Sequence, residues 1–272
     1  MQHEGINIDA ITIQNEPLNR GNSVSLYMTW QEQAAFIKTA LGPKFAEAGI
    51  KTKIMAFDHN YNYDNISDQM SYPLKMYADP EVAKYVDGAA YHAYGGDKSE
   101  MLNVHNSYPS KNLYFTEMSI GTWNYPSFGT DLMWSMRELG IGTLNNYCKA
   151  VIVWNFMLDE KGAPNRPGGC NTCYGAVDIN SSDYKTLDRK SHFYVMGHLS
   201  KAISTGATRI GTSGFQTSGL YYTAVLNTDG TYGVVMQNDT ESSIKVTLDD
   251  AVHSFVYIIP AKSIVSCRWK KS

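Results

Sequence analysis

Long apolar runs, an excess of charge of one sign and low-complexity stretches are all absent from this 272-residue sequence. No stretch approaches the roughly 20 consecutive apolar residues that cross a bilayer, so we expect no membrane span. The net charge of −3 provides neither the basic field that binds nucleic acid nor the acidic tail typical of disorder. The polar segment Met1–Gly5 has no basic stretch and no apolar core, so it does not resemble a signal peptide.

Cysteine is scarce, with four residues in the chain. Cys170 and Cys173 form a CxxC in a loop rich in glycine and proline, while Cys148 and Cys267 stand apart from it. A zinc site would need more ligands, and neither a histidine nor a second CxxC lies near this pair. A local disulfide in an exported protein is the favoured interpretation, and two unpaired thiols are the alternative.

The residues that are present are typical of a folded globular protein. Hydrophobic residues make up 43% of the chain, which is long enough for one large domain or for one domain with a small companion. Aromatic side chains are abundant, with 19 Tyr, 9 Phe and 5 Trp. Sugar rings stack on such side chains through their flat C–H faces, although aromatic residues more often fill cores and interfaces.

The N-terminal part of the chain alternates short apolar runs with longer amphipathic stretches, a pattern that predicts β–α repeats around a parallel sheet. The predicted strands are Ile8–Ile13, Lys53–Phe57, Gly88–Tyr91, Leu113–Thr116 and Ala150–Val153. The predicted helices span 29–48, Pro80–Tyr85 and Phe128–Lys149, and the segment Ser99–Ser107 separates the third strand from the fourth. In the first helix, Thr29 and Glu32 have the spacing of a capping box, and we expect Gly42-Pro43 to interrupt the helix.

The remainder of the chain has a different character. A loop rich in Gly, Pro, Asn and Ser covers 159–188, and Ser191–Ile203 is predicted to be a helix. Short predicted strands separated by turns follow, with a hairpin at Asp229-Gly230. These strands are Tyr221–Leu226, Tyr232–Gln237, Ile244–Leu248, Phe255–Ile259 and Ser263–Arg268. We therefore expect a partial (β/α) barrel catalytic domain in residues 1–204 and a small antiparallel β-sandwich in residues 205–272.

Two glutamates lie at the ends of predicted strands, where parallel α/β folds place their functional sites. Glu16 follows the first strand within Asn15-Glu16-Pro17, and Glu117 directly follows the fourth. A surface salt bridge is the structural alternative for Glu16, whereas a carboxylate after a buried strand is unfavourable unless it is paired or catalytic. Hydrolysis of a glycosidic bond needs two carboxyl groups beside the anomeric carbon, so the pair indicates a glycosidase.

Several motifs, in the right order along the chain, resemble glycoside hydrolase family 30. Residues 10–17 (AITIQNEP) resemble the family's acid/base strand, and Tyr114–Glu117 is similar to its nucleophile strand. Ala90–Tyr94 and Val153–Asn155 resemble its sixth and eighth strands, and Phe193–Gly206 resembles the helix that leads into its β-sandwich. The resemblance implies an α/β fold made of a partial TIM (β/α)8 barrel, strands four to eight, followed by a small antiparallel β-sandwich domain.

The resemblance also implies a retaining β-glycosidase and a role for each matching residue. Glu16 would be the acid/base and Glu117 the nucleophile, with Glu16 the protonated member of the pair before reaction. Asn15 would bind the sugar 2-hydroxyl, and Tyr94 would donate a hydrogen bond to Glu117. The other substrate-binding residues would be Asp58, His92, Trp123, Trp154 and Asn155. The structural alternatives are turn capping for the aspartate, and internal packing for the histidine and for Trp154.

The loop Gly168–Gly175 resembles that of family members that cleave β-1,6-glucan, which favours this substrate over glucosylceramide. Carbohydrate is the expected partner, whereas the resemblance implies no cofactor, no metal and no nucleic acid, and it leaves the oligomeric state open. A secreted or periplasmic location is expected for the complete family member. Because the pattern lacks the first three barrel strands, we expect a fragment, and an inactive sugar-binding remnant is the alternative to an enzyme. A structural β–α domain with incidental glutamates is the third hypothesis.

Overall fold

The computed structural model describes residues 4–22, 25–61, 66–123 and 127–271, and the chain divides into two compact units. The first unit comprises Met1–Met118 with Asn146–Ile152, and the second comprises Ser119–Asn145 with Val153–Ser272. The domain boundary predicted after residue 204 lies within the second unit and stays a prediction.

The strands range from two to eight residues in length. In chain order they are β1 (Ala10–Thr12), β2 (Lys53–Asn60), β3 (Val86–His92), β4 (Asn112–Glu117), β5 (Ile120–Gly121), β6 (Cys148–Val151), β7 (Met157–Asp159), β8 (Cys173–Tyr174), β9 (Val177–Ile179), β10 (Leu187–Arg189), β11 (Thr208–Arg209), β12 (Leu220–Leu226), β13 (Thr231–Asn238), β14 (Ile244–Asp249), β15 (Ser254–Ile259) and β16 (Ser263–Lys270).

The helices alternate with the strands over the first half of the chain. They are α1 (Trp30–Phe36), α2 (Gly42–Glu47), α3 (Tyr72–Tyr77), α4 (Pro80–Ala83), α5 (Ser99–Ser107), α6 (Phe128–Ser135), α7 (Thr143–Asn145) and α8 (Ser191–Ala202). Two π-helical segments, Ile37–Leu41 and Met136–Gly142, join α1 to α2 and α6 to α7.

The first unit is built around a five-stranded parallel sheet in the order β1-β2-β3-β4-β6. The prediction of β–α repeats around a parallel sheet is therefore confirmed. The inner strand β2 is buried at every position after Lys53, as expected for a sheet that is covered on both faces. The two edge strands are only 3 and 4 residues long, which limits the length of unpaired backbone.

The parallel ladders are irregular near their carboxyl ends. Register shifts occur between Phe57 and His59 on β2 and between Tyr91 and His92 on β3. Phe57 and Asp58 also have positive φ angles of 73° and 63°. Such bulges change the direction of side chains, and left-handed backbone at non-glycine residues is concentrated at functional sites.

The first helical stretch runs without a break from Trp30 to Glu47, so the predicted interruption at Gly42-Pro43 is wrong. Within the π-helical segment, Gly42 N–H bonds to Ile37 O, and Pro43 then occupies the first turn of α2. Proline is tolerated in the first turn because an N–H group there would make no hydrogen bond within the α-helix. The capping box is confirmed, since the Thr29 side chain accepts from Glu32 N–H and Glu32 accepts from Thr29 N–H.

The predicted helix Phe128–Lys149 is too long at its C-terminal end. The helical residues end at Asn145, and β6 begins at Cys148 rather than at the predicted Ala150. Tyr147, between the two elements, has a φ of 67°. A residue in that left-handed region cannot continue a right-handed helix, and the apolar periodicity of the sequence does not reveal it.

The second unit contains the antiparallel sheets that the sequence predicts. β11, β12, β13 and β16 form a four-stranded sheet, while β14 and β15 pair with each other. The hairpin between β12 and β13 is confirmed, with Gly230 at a φ of 76°. Buried side chains of both sheets form one apolar cluster: Ala224, Val234, Met236, Val246 and Ile259.

The glycine-rich loop of the second unit is held by a disulfide between Cys170 and Cys173, which confirms the favoured pairing. Its flanking residues make short ladders, β5 with β8 and β9 with both β7 and β10. Cys148 and Cys267 form no disulfide with any of the described residues. Across the described ranges, no helix combines the length and the apolarity needed to cross a bilayer.

Candidate active site

Four of the predicted site residues meet at the carboxyl end of the parallel sheet. Glu16 follows β1, Asp58 lies in the irregular end of β2, and His92 and Glu117 are the last residues of β3 and β4. Neighbouring parallel strands place their carboxyl ends side by side, which brings together residues that are far apart in sequence.

Glu16 is held rigidly on both its main chain and its side chain. Its N–H donates to the Asp58 carbonyl at 2.9 Å, its φ is 45°, and it is only 6% exposed. Carboxylate Oε2 accepts from the side-chain amides of Asn19 at 2.7 Å and Asn22 at 3.1 Å. Oε1 lies 3.1 Å from Nδ1 of His92. The carboxylate is thus fixed by three nitrogen atoms.

His92 lies between two carboxylates and is 1% exposed. Its Nε2 is 3.1 Å from Oδ1 of Asp58, opposite the contact of Nδ1 with Glu16. The same Oδ1 accepts from the Thr116 hydroxyl at 2.7 Å. Burial lowers the pKa of His92, but its hydrogen bonds to Asp58 and Glu16 outweigh burial and raise the pKa to about 9. The imidazole is therefore protonated at neutral pH.

Glu117 is the more open of the two glutamates, with 19% of its side chain exposed. Its Oε1 accepts from the Tyr94 hydroxyl at 3.1 Å and lies 4.0 Å from Nδ1 of His92. A carboxylate oxygen of Glu117, a carboxylate oxygen of Glu16 and a ring nitrogen of His92 all lie within 4.8 Å of one another. The two carboxyl groups thus face the same small space.

The pKa values of the two glutamates are shifted in the directions opposite to those expected from the sequence. Burial raises the pKa of Glu16, but hydrogen bonds from His92 and Asn19 outweigh it and lower the pKa to about 2. Burial raises the pKa of Glu117, and the charges of Glu16 and Asp58 act in the same direction. The expectation that Glu16 carries the proton before reaction is therefore wrong, because the imidazolium of His92 lies directly against it.

Glu16, His92 and Glu117 also have the spacing of a metal-ligand set. Both ring nitrogens of His92 are engaged by carboxylates, and a protonated imidazole has no lone pair to offer a metal ion. The arrangement suits proton transfer better than metal binding. The absence of a metal from the chemistry stays a prediction.

The other predicted site residues are placed differently. Asn15 has its side-chain amide 3.5 Å from the Ser25 hydroxyl. Trp123, Trp154 and Asn155 belong to the second unit, where both indole side chains are 49% exposed. Complete burial in the core therefore does not explain either tryptophan. Oδ1 of Asn155 is buried without a hydrogen-bond partner among the described residues.

Sequence reasoning missed Asn19 and Asn22, which hold Glu16, and Thr116, which holds Asp58. The two asparagines lie three and six residues after Glu16, and this spacing was the available signal. Thr116 immediately precedes Glu117, so alternation along β4 was its signal.

Family models cover nearly the whole chain. Residues 1–203 match the glycosyl hydrolase family 30 TIM-barrel domain, and residues 206–267 match the glycosyl hydrolase family 30 β-sandwich domain. A barrel domain followed by a β-sandwich domain is therefore the family's domain order in this chain.

Curated relatives match almost the whole of this chain, but the match covers only about half of their own length. An endo-1,6-β-D-glucanase of Trichoderma harzianum, BGN16.3, is 33% identical over 91% of this chain and 48% of its own length. A lysosomal acid glucosylceramidase of Mus musculus is 27% identical over 98% of this chain and 53% of its own length. The chain thus spans about half the length of the curated relatives that it matches.

Solved structures agree with the family models. The endo-β1,6-glucanase BT3312 is 56% identical and superposes with a TM-score of 0.97, over 99% of this chain and 60% of its own. SrfJ of Salmonella typhimurium, at 24% identity and a TM-score of 0.87, shares the fold over 100% of this chain and 59% of its own. On the matches of both domain models, the chain belongs to glycosyl hydrolase family 30.

Proposed function

We propose that the protein containing this chain is a retaining β-glycosidase, with Glu16 as the acid/base and Glu117 as the nucleophile. The observation that carries the proposal is the separation of less than 4.8 Å between carboxylate oxygens of the two residues. Retaining enzymes hold their carboxyl groups about 5–5.5 Å apart, whereas inverting enzymes leave about 6.5–9.5 Å for a water molecule. The short separation supports direct attack by Glu117 on the anomeric carbon.

In the first step, Glu117 attacks the anomeric carbon while the glycosidic oxygen leaves with a proton. The proton passes from Nδ1 of His92 to Oε1 of Glu16 across their 3.1 Å contact, and Glu16 delivers it to the leaving oxygen and is ionised again. Asp58 stabilises the cationic imidazole from the opposite side. The products of this step are a glycosyl ester on Glu117 and a neutral imidazole.

In the second step, water attacks the anomeric carbon and releases Glu117 as a carboxylate. Glu16 accepts the proton of the attacking water, because it is ionised and because the ester has removed the neighbouring negative charge. The proton then returns to His92, so the enzyme regains its starting state. Two displacements at one carbon leave the sugar with its original β configuration.

The other site residues position the catalytic side chains or the sugar. We propose that the Tyr94 hydroxyl aims Glu117, and that Asp58 acts through His92 because its Oδ1 is already engaged. Asn15 is proposed to bind the sugar 2-hydroxyl. We propose that sugar rings and hydroxyls contact Trp154, Trp123 and Asn155. Both indoles are half-exposed, and Oδ1 of the asparagine has no hydrogen-bond partner within the part of the chain that the structure describes.

For the substrate, we propose a β-1,6-linked glucan. Two relatives named as endo-1,6-β-glucanases, at 33% and 56% identity, are more similar to this chain than the glucosylceramidase at 27%. We also infer that the five parallel strands correspond to strands four to eight of the family's barrel, and that residues 1–204 and 205–272 are its two domains. The matches of the two domain models on either side of residue 204 support this division.

Hydrolysis of an aryl β-glucoside followed by proton NMR tests the proposal. The account predicts that β-glucose is the first product and then mutarotates. First release of α-glucose would contradict a retaining mechanism. No hydrolysis by a protein that binds glucan would instead support an inactive sugar-binding remnant.

A further inference from the structure

Trp123 stands on a small ladder within the second unit. β5 pairs with β8 through Ile120–Tyr174 and Gly121–Cys173, and the Thr122 N–H donates to the Thr172 carbonyl at 3.1 Å. The segment that leads into Trp123 is therefore fixed to the loop that carries the disulfide.

Because Gly121 has no side chain, the indole ring of Trp123 can occupy the space beside it. A Cβ atom at this position would lie 2.1 Å from Cζ3 and 2.3 Å from Cη2 of Trp123, and 2.4 Å from the Thr172 carbonyl oxygen. Even alanine at residue 121 would displace the ring from the ladder. Packing against the indole ring, and not the backbone conformation, therefore requires glycine at this position.

The disulfide fixes the opposite side of the ladder. Cys170 and Cys173 enclose Thr172, whose carbonyl oxygen lies beside the space over Gly121 and accepts from Thr122 N–H. Cys173 is 4% exposed, whereas Trp123 is 49% exposed. The indole therefore has a fixed backing and a free surface.

The residue before β5 pairs with the second tryptophan. Ser119 pairs with Trp154 in a parallel bridge, directly before β5. Trp154 is also 49% exposed, so the chain on either side of β5 is paired to, or carries, two half-exposed indoles. Consecutive rings of a β-linked glucan present repeated C–H faces that suit such indole surfaces.

We propose that Gly121 and the Cys170–Cys173 disulfide are positioning elements that hold Trp123 as a stacking surface for a second glucose unit of a β-linked glucan chain. The identity of the sugar rests on the proposed function. Loss of the disulfide weakens recognition of the glucan chain and leaves the turnover of a single-sugar substrate unchanged.

The test measures the affinity of a β-1,6-linked glucotetraose by calorimetry, in a Glu117→Gln background that stops turnover. We expect Trp123→Ala, Gly121→Ala and Cys170→Ala/Cys173→Ala each to weaken binding by about tenfold, the size of one lost aromatic contact. Cys148→Ser/Cys267→Ser is the matched control, because it removes two thiols and keeps the disulfide. The control should bind like the parent protein.

A double-mutant cycle separates positioning from a general structural effect. If the disulfide acts through Trp123, removing it from a Trp123→Ala protein has no further effect on affinity. Additive losses would overturn the proposal. A second comparison uses the catalytically intact protein, in which Cys170→Ala/Cys173→Ala should raise KM for the glucotetraose by about tenfold and leave kcat/KM for an aryl β-glucoside unchanged.

The outcomes also distinguish this inference from the proposed function. If the parent protein hydrolyses the aryl β-glucoside and Trp123→Ala binds the glucotetraose normally, the inference is overturned and the proposed function stands. If the parent protein binds the glucotetraose without any hydrolysis, the proposed function fails, and a weaker affinity in Trp123→Ala still supports the inference. Absence of binding by the parent protein overturns the inference.

Discussion

The imidazole of His92 bridges Glu16 and Asp58, with 3.1 Å from Nδ1 to Oε1 of Glu16 and 3.1 Å from Nε2 to Oδ1 of Asp58. This buried chain couples the protonation of the proposed acid/base to a histidine whose pKa is raised to about 9. Removing one member of such a buried set leaves an uncompensated charge on its neighbour. The pH dependence of the enzyme should therefore depend on His92 as much as on the two glutamates.

The pH profile of kcat/KM should be bell-shaped. Glu117 must be ionised to attack, and burial raises its pKa above the ordinary glutamate value, so activity falls as the pH decreases through this raised pKa. The proton for the leaving oxygen is stored on His92, so activity falls as the pH increases through about 9. Initial rates on an aryl β-glucoside between pH 4 and 10 measure both limbs. An alkaline limb far below about 9 would contradict proton storage on His92.

Substitution His92→Asn should move the alkaline limb to lower pH. Without the imidazolium, Glu16 loses the hydrogen bond and the positive charge of His92 that lower its pKa, so this pKa rises and Glu16 must itself carry the proton. Activity then falls as Glu16 loses that proton, which happens below the pKa of the histidine. The exposed His253, substituted to Asn, is the control and should leave the profile unchanged. An unshifted alkaline limb in His92→Asn would rule out the coupling.

Substitution Glu16→Ala should slow hydrolysis of substrates with poor leaving groups by about 100-fold or more, since general acid catalysis contributes on that scale. Substrates with good leaving groups need no proton, so they should still form the glycosyl ester on Glu117. Added azide should then accelerate turnover and yield β-glucosyl azide, because azide needs no general base. Production of the α-azide would instead identify Glu16 as the nucleophile.

Chelation by EDTA should leave the activity unchanged. The three ligand-type atoms of Glu16, His92 and Glu117 are close enough to hold a metal ion, but both ring nitrogens of the histidine are engaged by carboxylates. The measurement compares rates before and after dialysis against the chelator. Loss of activity that Zn²⁺ or Mn²⁺ restores would contradict the proton-transfer account.

Substitution Gly42→Ala should decrease the free energy of unfolding by about 1–3 kcal/mol through overpacking, although alanine is the better helix former. A Cβ atom at residue 42 would lie 2.4 Å from the ring of Tyr85. Gly197→Ala is the matched control, because outside the backbone of α8 no heavy atom of the described residues lies within 4 Å of the added Cβ. It should stabilise the protein by up to about 1 kcal/mol in urea denaturation. Equal effects at the two positions would contradict the packing at Gly42.

The position of the site was predictable from sequence because it follows from topology. Parallel strands end side by side, so polar residues after successive apolar runs converge on one edge of the sheet. This rule holds for Glu16, Asp58, His92 and Glu117. The sequence motifs of the family then indicated which role each residue has.

The protonation of the site was not predictable, because it depends on contacts of about 3 Å that strand periodicity cannot specify. The irregular backbone at Phe57 and Asp58 turns the aspartate towards His92. The histidine then lowers the pKa of Glu16, while the pKa of Glu117 is raised, which is the reverse of the expected order. The packing of Trp123 over Gly121 escaped prediction for a related reason, since this segment is held by the pairing of Thr122 with Thr172, which joins two loops that are distant in sequence.

Covalent trapping of Glu117 tests the central claim most directly. An activated 2-fluoro-β-glucoside slows the second step more than the first, so the glycosyl ester accumulates and intact mass spectrometry detects it. The account predicts one added fluoroglucosyl group, located on Glu117 by peptide mapping, absent from Glu117→Gln and retained in the surface control Glu81→Gln. A label on a residue other than Glu117, or no label in folded protein that hydrolyses aryl β-glucosides, would contradict the account.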